Sequence, residues 1–364
     1  MGIVTAGPDD VDAAWLTAVL RSSGAITAAS VDSFTAEAIG TGQVGHNVRF
    51  DLVYDVDEPG APATVVAKFP SPDETSRATG VAIGTYDKEA RFYAELASTV
   101  DIRVPRCHHV EHDPDAHLST LVFEDMAPAV QGDQIEGCSV DLAAVAVDQL
   151  CALHAPRWDD PTLDQIAWLQ RPTTDSGTTI QAFYAALWPG FLERYDGRVS
   201  DDVRRLGAKF GDGLARWAAR RADGPITIVH GDFRLDNLLF RPALDPDGSC
   251  EVTVVDWQTV ALGIGTDDLA YLLGSGLVTD DRRRHEEDMV RRYHDGLLAR
   301  GVTGYSWDEC WADYRRFSLS GLQMAVVASM IVRGDERGDA MFLAMAERHT
   351  AQALDLGADA LLDA

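Results

Sequence analysis

The hydrophobic pattern changes once along the chain, close to Met126. Before that residue, alternating polar and apolar stretches separated by glycine- and proline-rich turns are typical of strands. The predicted strands are SFTAEAIG, NVRFDLVYDV, ATVVAKFP, RVPRCHHVEH and HLSTLVFEDM. A leading helix, VDAAWLTAVL, and one later helix, TYDKEARFYAELAST, complete this region. Since strands and helices are segregated, we expect an α+β fold whose small β-rich N-terminal lobe covers residues 1–126.

Beyond Met126, apolar residues recur mainly at helical spacing, which predicts a larger, mainly helical lobe over residues 127–364. Three of its predicted helices are VDLAAVAVDQLCALHA, IQAFYAALWPGFLERY and VRRLGAKFGDGLARWAARR. One predicted strand pair interrupts them, LDNLLF and CEVTVVDW. The change of pattern near Glu124 to Pro128 indicates a hinge between the two lobes.

The formal net charge of -27 argues against a nucleic-acid partner, because phosphate backbones require compensating Lys and Arg. It argues equally against an anionic membrane surface, and it favours a cationic small molecule if the field steers a substrate. Five scattered cysteines without a CxxC pair are typical of reduced thiols in a cytoplasmic protein. Neither a signal peptide nor a membrane span is predicted from the sequence.

The stretch GTGQVG fits the pattern GxGxxG with Gly40, Gly42 and Gly45. A dinucleotide-binding fold would place a helix after this loop, whereas here a strand pattern follows. A glycine loop between two strands is typical of a flap that covers nucleotide phosphates. The alternative is a simple hairpin turn that requires positive φ.

Lys68 lies within the apolar strand TVVAKF, where an ammonium group needs an anionic partner. Phosphate oxygens and a carboxylate would both serve. Glu89, 21 residues later in the predicted helix, is the expected carboxylate, and Glu95 is a weaker competitor. The alternative is a lysine at a strand edge that reaches solvent.

The stretch HGDFRLDNLLF, residues 230–240, places Asp232 and Asn237 ahead of a strand, and the returning strand is predicted to end on Asp256. We expect Asn237 and Asp256 to lie side by side as two oxygen ligands of Mg²⁺, which favours such sparse protein ligation. Asp232 could then accept a proton from an attacking hydroxyl. The alternative is that Asp232 and Asp236 only cap turns.

These segments resemble the aminoglycoside phosphotransferase and choline kinase superfamily, which has a protein-kinase-like fold. HGDFRLDN matches its HGDxxxxN signature, VVDWQ its metal-binding aspartate segment and DDLAYLL the segment that follows. KEARFYAEL, LVFEDM and LCALHAPRW resemble especially the choline/ecdysteroid-kinase-like branch.

The resemblance implies an ATP- and Mg²⁺-dependent phosphotransferase that acts on an alcohol. It implies that Asp232 is the catalytic base, that Asn237 and Asp256 bind Mg²⁺, and that Lys68, paired with Glu89, contacts the α- and β-phosphates. It further implies that main-chain groups near Glu124 and Met126 meet the adenine, and that His230 and Asp268 brace the loop.

Four other interpretations compete with this one. The stretch CHHVEHDPDAH could form a zinc site, although adjacent residues on a strand point to opposite faces. A protein kinase is disfavoured because Asp267 follows Asp256 by 11 positions and no APE segment is present. A nucleotide-binding pseudokinase and a metal-dependent hydrolase are the remaining alternatives. The aromatic residues that could line an acceptor pocket, or simply form core, are Trp188, Trp257, Trp311 and Tyr271, of which Trp257 is favoured.

Overall fold

The structure, a computed structural model, describes residues 5–40, 44–169, 171, 177–222, 224–241, 250–332 and 334–363. The chain forms two compact units. The first comprises Met1–Ser98, Val104–Pro128 and Val255–Thr259, and the second comprises Thr99–Arg103, Ala129–Val254 and Val260–Ala364. The short segment Val255–Thr259 therefore belongs to the first unit although it follows most of the second along the chain.

The first unit contains a five-stranded antiparallel sheet with the order β1-β2-β3-β5-β4. The strands are β1 (Val31–Ile39), β2 (Gly45–Tyr54), β3 (Thr64–Pro70), β4 (Cys107–Asp113) and β5 (Leu118–Glu124). Alternate residues of β2, such as Val48 and Phe50, are buried, as expected for a sheet with one covered face. Helix α1 (Ala13–Ser22) buries Leu16 and Leu20 in the same core.

Two helices follow β3, and only the second was predicted. Helix α2 (Glu74–Ile83) begins at Asp73, whose carboxylate accepts a hydrogen bond from the Ser76 amide at 2.8 Å. Helix α3 (Thr85–Arg91) continues as a π-helical turn over Phe92–Leu96 and a 3-10 turn over Ala97–Thr99. The single regular helix predicted for TYDKEARFYAELAST is thus three helical segments of different winding.

The second unit is mainly helical, so the predicted α+β fold is confirmed. Its helices are α4 (Val140–His154), α5 (Gly177–Arg194), α6 (Asp201–Ala219), α7 (Thr266–Gly276), α8 (Thr279–Ala299), α9 (Trp307–Phe317), α10 (Ser320–Ile331) and α11 (Glu336–Asp355). Within the described ranges, no helix combines the length and apolar character that crossing a membrane requires.

Five short strands accompany these helices. They are β6 (Val130–Gln131), β7 (Thr227–Val229), β8 (Leu238–Arg241), β9 (Glu251–Val254) and β10 (Ala261–Gly263). The order β6-β8-β9 forms one antiparallel sheet, in which Leu238 lies opposite Val254, and β10 pairs with β7. The predicted strand pair is present as β8 and β9, while β6, β7 and β10 are too short to give a periodic signal.

Candidate active site

In the first unit, the Lys68 ammonium group lies between two carboxylates. Its nitrogen is 2.7 Å from Glu89 Oε2 and 3.1 Å from Asp256 Oδ1. The Lys68 and Glu89 side chains are 12% and 3% exposed, so neither reaches solvent freely. Glu95, the other carboxylate considered, instead lies 3.6 Å from Arg91 Nη1.

The charge state of Lys68 follows from these neighbours. Burial acts to lower the pKa of Lys68, but the carboxylates of Asp256 and Glu89 outweigh it and raise the pKa above its ordinary value. Lys68 therefore stays protonated at neutral pH.

Gly45 leaves the space that the Lys68 side chain occupies. A Cβ atom at Gly45 would lie 2.7 Å from Lys68 Cε. The preceding carbonyl, that of Val44, accepts a hydrogen bond from the Tyr86 hydroxyl at 2.7 Å and another from the Ser71 amide at 3.1 Å. Gly40 has a φ of 75° at the other end of the loop, whereas Gly42 lies outside the described residues. The end of the glycine loop that adjoins Lys68 is thus held in place by hydrogen bonds.

The segment from Glu124 to Met126 follows directly from β5. The Glu124 amide donates to the Arg106 carbonyl at 2.9 Å, and the Glu124 carboxylate accepts from the Arg106 amide at 2.8 Å. Asp125 accepts two hydrogen bonds from Arg49, at 2.6 and 3.1 Å. Met126 is buried. The sequence analysis missed the Arg49–Asp125 pair, because nothing local to either residue indicates it.

Asp256 differs from its predicted position in one respect. Strand β9 ends at Val254, and Asp256 follows with a φ of 69°, a left-handed backbone conformation that cannot continue a strand. Its carboxylate is 38% exposed, even with one oxygen bound by Lys68. Non-glycine residues held in this conformation are concentrated at active sites, where the surrounding structure imposes it.

Trp257, which the sequence favoured as an acceptor-pocket residue, is a core residue, and that interpretation was wrong. Its side chain is buried, and its ring stacks on Phe92 with centroids 3.8 Å apart and planes 4° from parallel. Its amide also donates to Glu89 Oε1 at 3.3 Å. Trp257 therefore fixes the chain next to Asp256.

In the second unit, Asp268 holds the turn that precedes Asp232. Its two oxygens accept hydrogen bonds from the main-chain amides of His230 at 2.7 Å and Gly231 at 2.9 Å. Burial acts to raise the pKa of Asp268, but the His154 side chain and the His230 amide outweigh it and lower the pKa. Asp268 is thus an ionised anchor of the loop, and the buried His230 is anchored through its main chain.

The Asp232 carboxylate is 21% exposed and has three hydrogen-bond donors around it. Oδ1 accepts from the Tyr271 hydroxyl at 2.9 Å. Oδ2 accepts from Arg234 Nε at 3.1 Å and from Asn237 Nδ2 at 3.0 Å. The sequence analysis anticipated neither Tyr271 nor Arg234 as partners of Asp232.

Asn237 was predicted to begin a strand, and this prediction was wrong by one residue. It ends a 3-10 turn over Leu235–Asn237, and β8 begins at the next residue. The reason is local: the Asn237 amide donates to the Arg234 carbonyl at 2.9 Å, which closes the turn. The Asn237 side-chain nitrogen donates to the Asp232 carbonyl at 2.9 Å as well as to its carboxylate. Because the nitrogen is committed to Asp232, the amide oxygen is the atom of this side chain that can bind a cation.

Asp236 does more than cap a turn. Its carboxylate accepts from Arg234 at 2.6 Å, from the Gln134 amide at 3.0 Å, and from both terminal nitrogens of Arg337 at 3.1 Å. Burial acts to raise the pKa of Asp236, but the two arginines and Gln134 lower it. Asp236 therefore ties the segment around Asp232 to α11, a link across 101 positions that no local pattern indicates.

The histidine-rich stretch considered for zinc does not form a metal cluster. Among the described residues, no group of three or more His, Cys, Asp or Glu side chains could hold a metal ion. Burial raises the pKa of the Cys107 thiol to about 12, which disfavours the thiolate that zinc binding requires. His112 pairs with Asp87 at 3.0 Å.

Comparison with solved structures supports the fold. The structure resembles a protein from Ralstonia eutropha JMP134 assigned as an aminoglycoside phosphotransferase (TM-score 0.54, 19% identity, covering 93% of this chain and 97% of that one). It resembles a choline kinase from Cryptosporidium parvum Iowa II (0.52, 8%, 90% of each chain). It also resembles the GDP and kanamycin complex of APH(2")-IIia (0.50, 15%, 92% and 97%). At these identities the likeness concerns the fold alone.

Sequence comparison gives the family. Acyl-CoA dehydrogenase family member 11 of Gallus gallus is 30% identical over 94 residues, which is 23% of this chain, and the match spans only 11% of that relative's length. Residues 46–300, more than half of the chain, match the ecdysteroid kinase-like family. This range includes Lys68, Glu89, Asp232, Asn237 and Asp256. The chain belongs to the ecdysteroid kinase-like family.

Proposed function

We propose that this protein is a small-molecule kinase that transfers the γ-phosphoryl group of ATP to a hydroxyl group, with Mg²⁺ as cofactor. The observation that carries the proposal is the buried Lys68 ammonium group held between Glu89 and Asp256. In a kinase, a buried cation between two carboxylates is one of the features that must be in place before phosphoryl transfer. Membership of a kinase-like family supports the same conclusion.

For the nucleotide, we propose that Lys68 binds the α- and β-phosphates and that Glu89 holds it in place. Main-chain groups near Glu124 and Met126 would meet the adenine. The loop that contains Gly40, Gly42 and Gly45 would cover the phosphates, with Gly45 leaving room for Lys68. A GDP complex of one solved structure with this fold supports a nucleotide ligand.

The oxygen atoms available at Asn237 and Asp256 fit Mg²⁺, which prefers carboxylate and amide oxygens and retains several water ligands. The side-chain hydrogen bonds of Asn237 use its nitrogen, so its amide oxygen is available to a cation. The Asp256 carboxylate is partly exposed. We propose these two residues as the metal ligands. When bound, Mg²⁺ would neutralise charge on the phosphate oxygens.

In the proposed reaction, the oxygen of the acceptor hydroxyl forms a bond to the γ-phosphorus as the bond to the β–γ bridging oxygen breaks. ADP leaves with that oxygen, and the hydroxyl proton passes to the Asp232 carboxylate. Arg234 and Asn237 both donate to Oδ2 of Asp232, so that oxygen is already hydrogen-bonded before the acceptor arrives.

For the acceptor, we propose a small alcohol. The net charge of -27 favours a cationic one, but Arg234 and Arg337 lie beside the carboxylates of the catalytic loop. The local field at Asp232 is therefore less negative than the composition alone indicates, and neutral and cationic alcohols both belong in a substrate panel.

The test is ATP turnover with Mg²⁺ on a panel of amino sugars, choline-like alcohols, steroid-like and macrolide alcohols, and protein substrates, with products identified by mass spectrometry. Asp232→Asn should lower turnover by about 10²–10⁴-fold while nucleotide affinity is retained. The matched control is Asp164→Asn, a change on an exposed side chain. Nucleotide binding without turnover on any acceptor would favour a pseudokinase, and phosphorylated protein would favour a protein kinase.

A further inference from the structure

We infer that Tyr271 is a positioning residue that makes Oδ1 of Asp232 the proton-accepting oxygen, so that the acceptor hydroxyl binds beside the Tyr271 hydroxyl. This inference rests on the proposed function, because it concerns the base of that reaction. It gives Tyr271 a defined task that the family signature HGDxxxxN does not contain.

The Asp232 carboxylate has a limited number of sites that can accept a hydrogen bond. An ionised carboxylate offers about four lone-pair sites, two on each oxygen. Oδ2 of Asp232 already accepts from Arg234 and Asn237, so both of its sites are used. Oδ1 accepts from Tyr271 alone among the described residues, which leaves one site on that oxygen. An acceptor hydroxyl that donates to Asp232 without displacing a partner must therefore donate to Oδ1.

The Tyr271 hydroxyl is the donor in its hydrogen bond with Asp232. Burial, reinforced by the charge of Asp232, raises the pKa of Tyr271 well above its ordinary value, so its phenol stays protonated. A phenol that faces a carboxylate can only donate, and the 2.9 Å distance is that of a good hydrogen bond. The Tyr271 hydroxyl thus fixes the rotation of the carboxylate and defines which site remains for the acceptor.

The Tyr271 ring is itself held by packing. Its ring stacks on the His349 imidazole of α11, with centroids 5.4 Å apart and planes 14° from parallel. His349 is fully buried and is packed against Gly321 of α10 so closely that a Cβ there would lie 2.2 Å from the imidazole. Its Nδ1 also lies 3.3 Å from Gln352 Oε1. The phenol is therefore packed against the His349 side chain of α11, which itself lies against the main chain of α10 at Gly321.

The experiment compares wild type with Tyr271→Phe, which removes the hydroxyl and keeps the stacked ring. We expect kcat to fall by about tenfold or more, because the carboxylate loses its fixed rotation, and the KM for ATP to stay unchanged. Tyr184→Phe is the matched control, since this buried phenol donates to the Gly207 carbonyl and not to the catalytic loop. An unchanged kcat in Tyr271→Phe would overturn the inference.

A double variant separates positioning from general stabilisation of the fold. In the Asp232→Asn background, Tyr271→Phe should cause no further loss of kcat, because both changes act through one carboxylate. Independent, multiplicative losses would contradict the inference. If Asp232→Asn alone retained full activity, the proposed function would fail, whereas an inactive Asp232→Asn with a fully active Tyr271→Phe would overturn only the role of Tyr271.

A further measurement requires no acceptor. Crystal structures of wild type and Tyr271→Phe, each with bound nucleotide, would show the rotation of the Asp232 carboxylate directly. We expect the carboxylate to rotate or to become disordered in the variant. An unchanged, well-ordered carboxylate would show that Arg234 and Asn237 suffice to orient it, and this result would contradict the inference.

Discussion

Lys68 and Glu89 form a buried ion pair in which the lysine nitrogen lies 2.7 Å from Glu89 Oε2. Asp256 approaches the same nitrogen from another segment of the chain. The cation is therefore shared by two carboxylates, and its removal takes the ammonium group away from the buried Glu89.

Lys68→Met should lower the free energy of unfolding by about 3 kcal/mol, because breaking a buried pair leaves uncompensated buried charge. The double variant Lys68→Met with Glu89→Gln should recover part of that loss. The measurement is chemical denaturation. Lys209→Met is the control, since Lys209 is a surface lysine paired with Asp363 at 2.8 Å and its loss should cost less than about 1 kcal/mol. A Lys68 variant as stable as this control would contradict the prediction.

Gly45→Ala should impair activity much more than stability. The new Cβ would meet the flexible end of Lys68, which can move away at small energetic cost but then no longer occupies its binding position. We expect kcat/KM for ATP to fall by about 10- to 100-fold, because small displacements of a binding group have effects of this size. Steady-state kinetics and thermal denaturation measure the two effects. Gly7→Ala is the control, since a Cβ at Gly7 meets nothing within 4 Å.

Asp268→Asn should destabilise the turn before Asp232. Each Asp268 oxygen accepts one main-chain N–H, and an amide would place its own donor against one of them. We expect a loss of about 2 kcal/mol in the free energy of unfolding and a lower kcat. Because the pKa of Asp268 is lowered in the folded state, its contribution is present above the ordinary aspartate pKa and is lost as the pH falls below it. Asp196→Asn, at an exposed position, should change neither quantity.

We expect His349 to make the free energy of unfolding depend on pH, over a pH range higher than the one in which carboxylates titrate. Burial lowers the pKa of His349 from 6.5 to about 4. The unfolded chain therefore binds a proton as the pH falls below 6.5 while the folded state does not, and stability decreases by about 3 kcal/mol between pH 6.5 and 4. His349→Phe should reduce this dependence, as measured by urea denaturation across that range.

Local patterns in the sequence predicted the order of strands and helices in the first unit, because alternation and turn residues are properties of neighbouring positions. They also predicted the pairing of Lys68 with Glu89, because a lysine within an apolar strand needs an anionic partner. The left-handed conformation of Asp256 was not predicted, because VTVVDW has the composition of an uninterrupted strand. Helix α2 was missed because it contains few apolar residues.

The contacts that orient Asp232 and Asp236 could not be predicted from local sequence patterns. Tyr271 meets Asp232 across 39 positions, and Arg337 meets Asp236 across 101. In the sequence, nothing distinguishes Tyr271 and His349 from ordinary core residues. Only the packing of α7 against α10 and α11 gives them a role at Asp232. The motifs thus indicate the candidate site residues, while tertiary packing determines how these residues are held.

The family match ends at residue 300, yet Arg337 and His349 lie beyond it on α11. A chimaera that joined residues 46–300 to the last helices of another family member would retain the whole HGDFRLDN segment. It would lack the Arg337 guanidinium that binds Asp236 and the His349 imidazole that stacks on Tyr271. For protein engineering, the C-terminal helices therefore belong with the segment around Asp232, and the smallest exchangeable piece extends to residue 355.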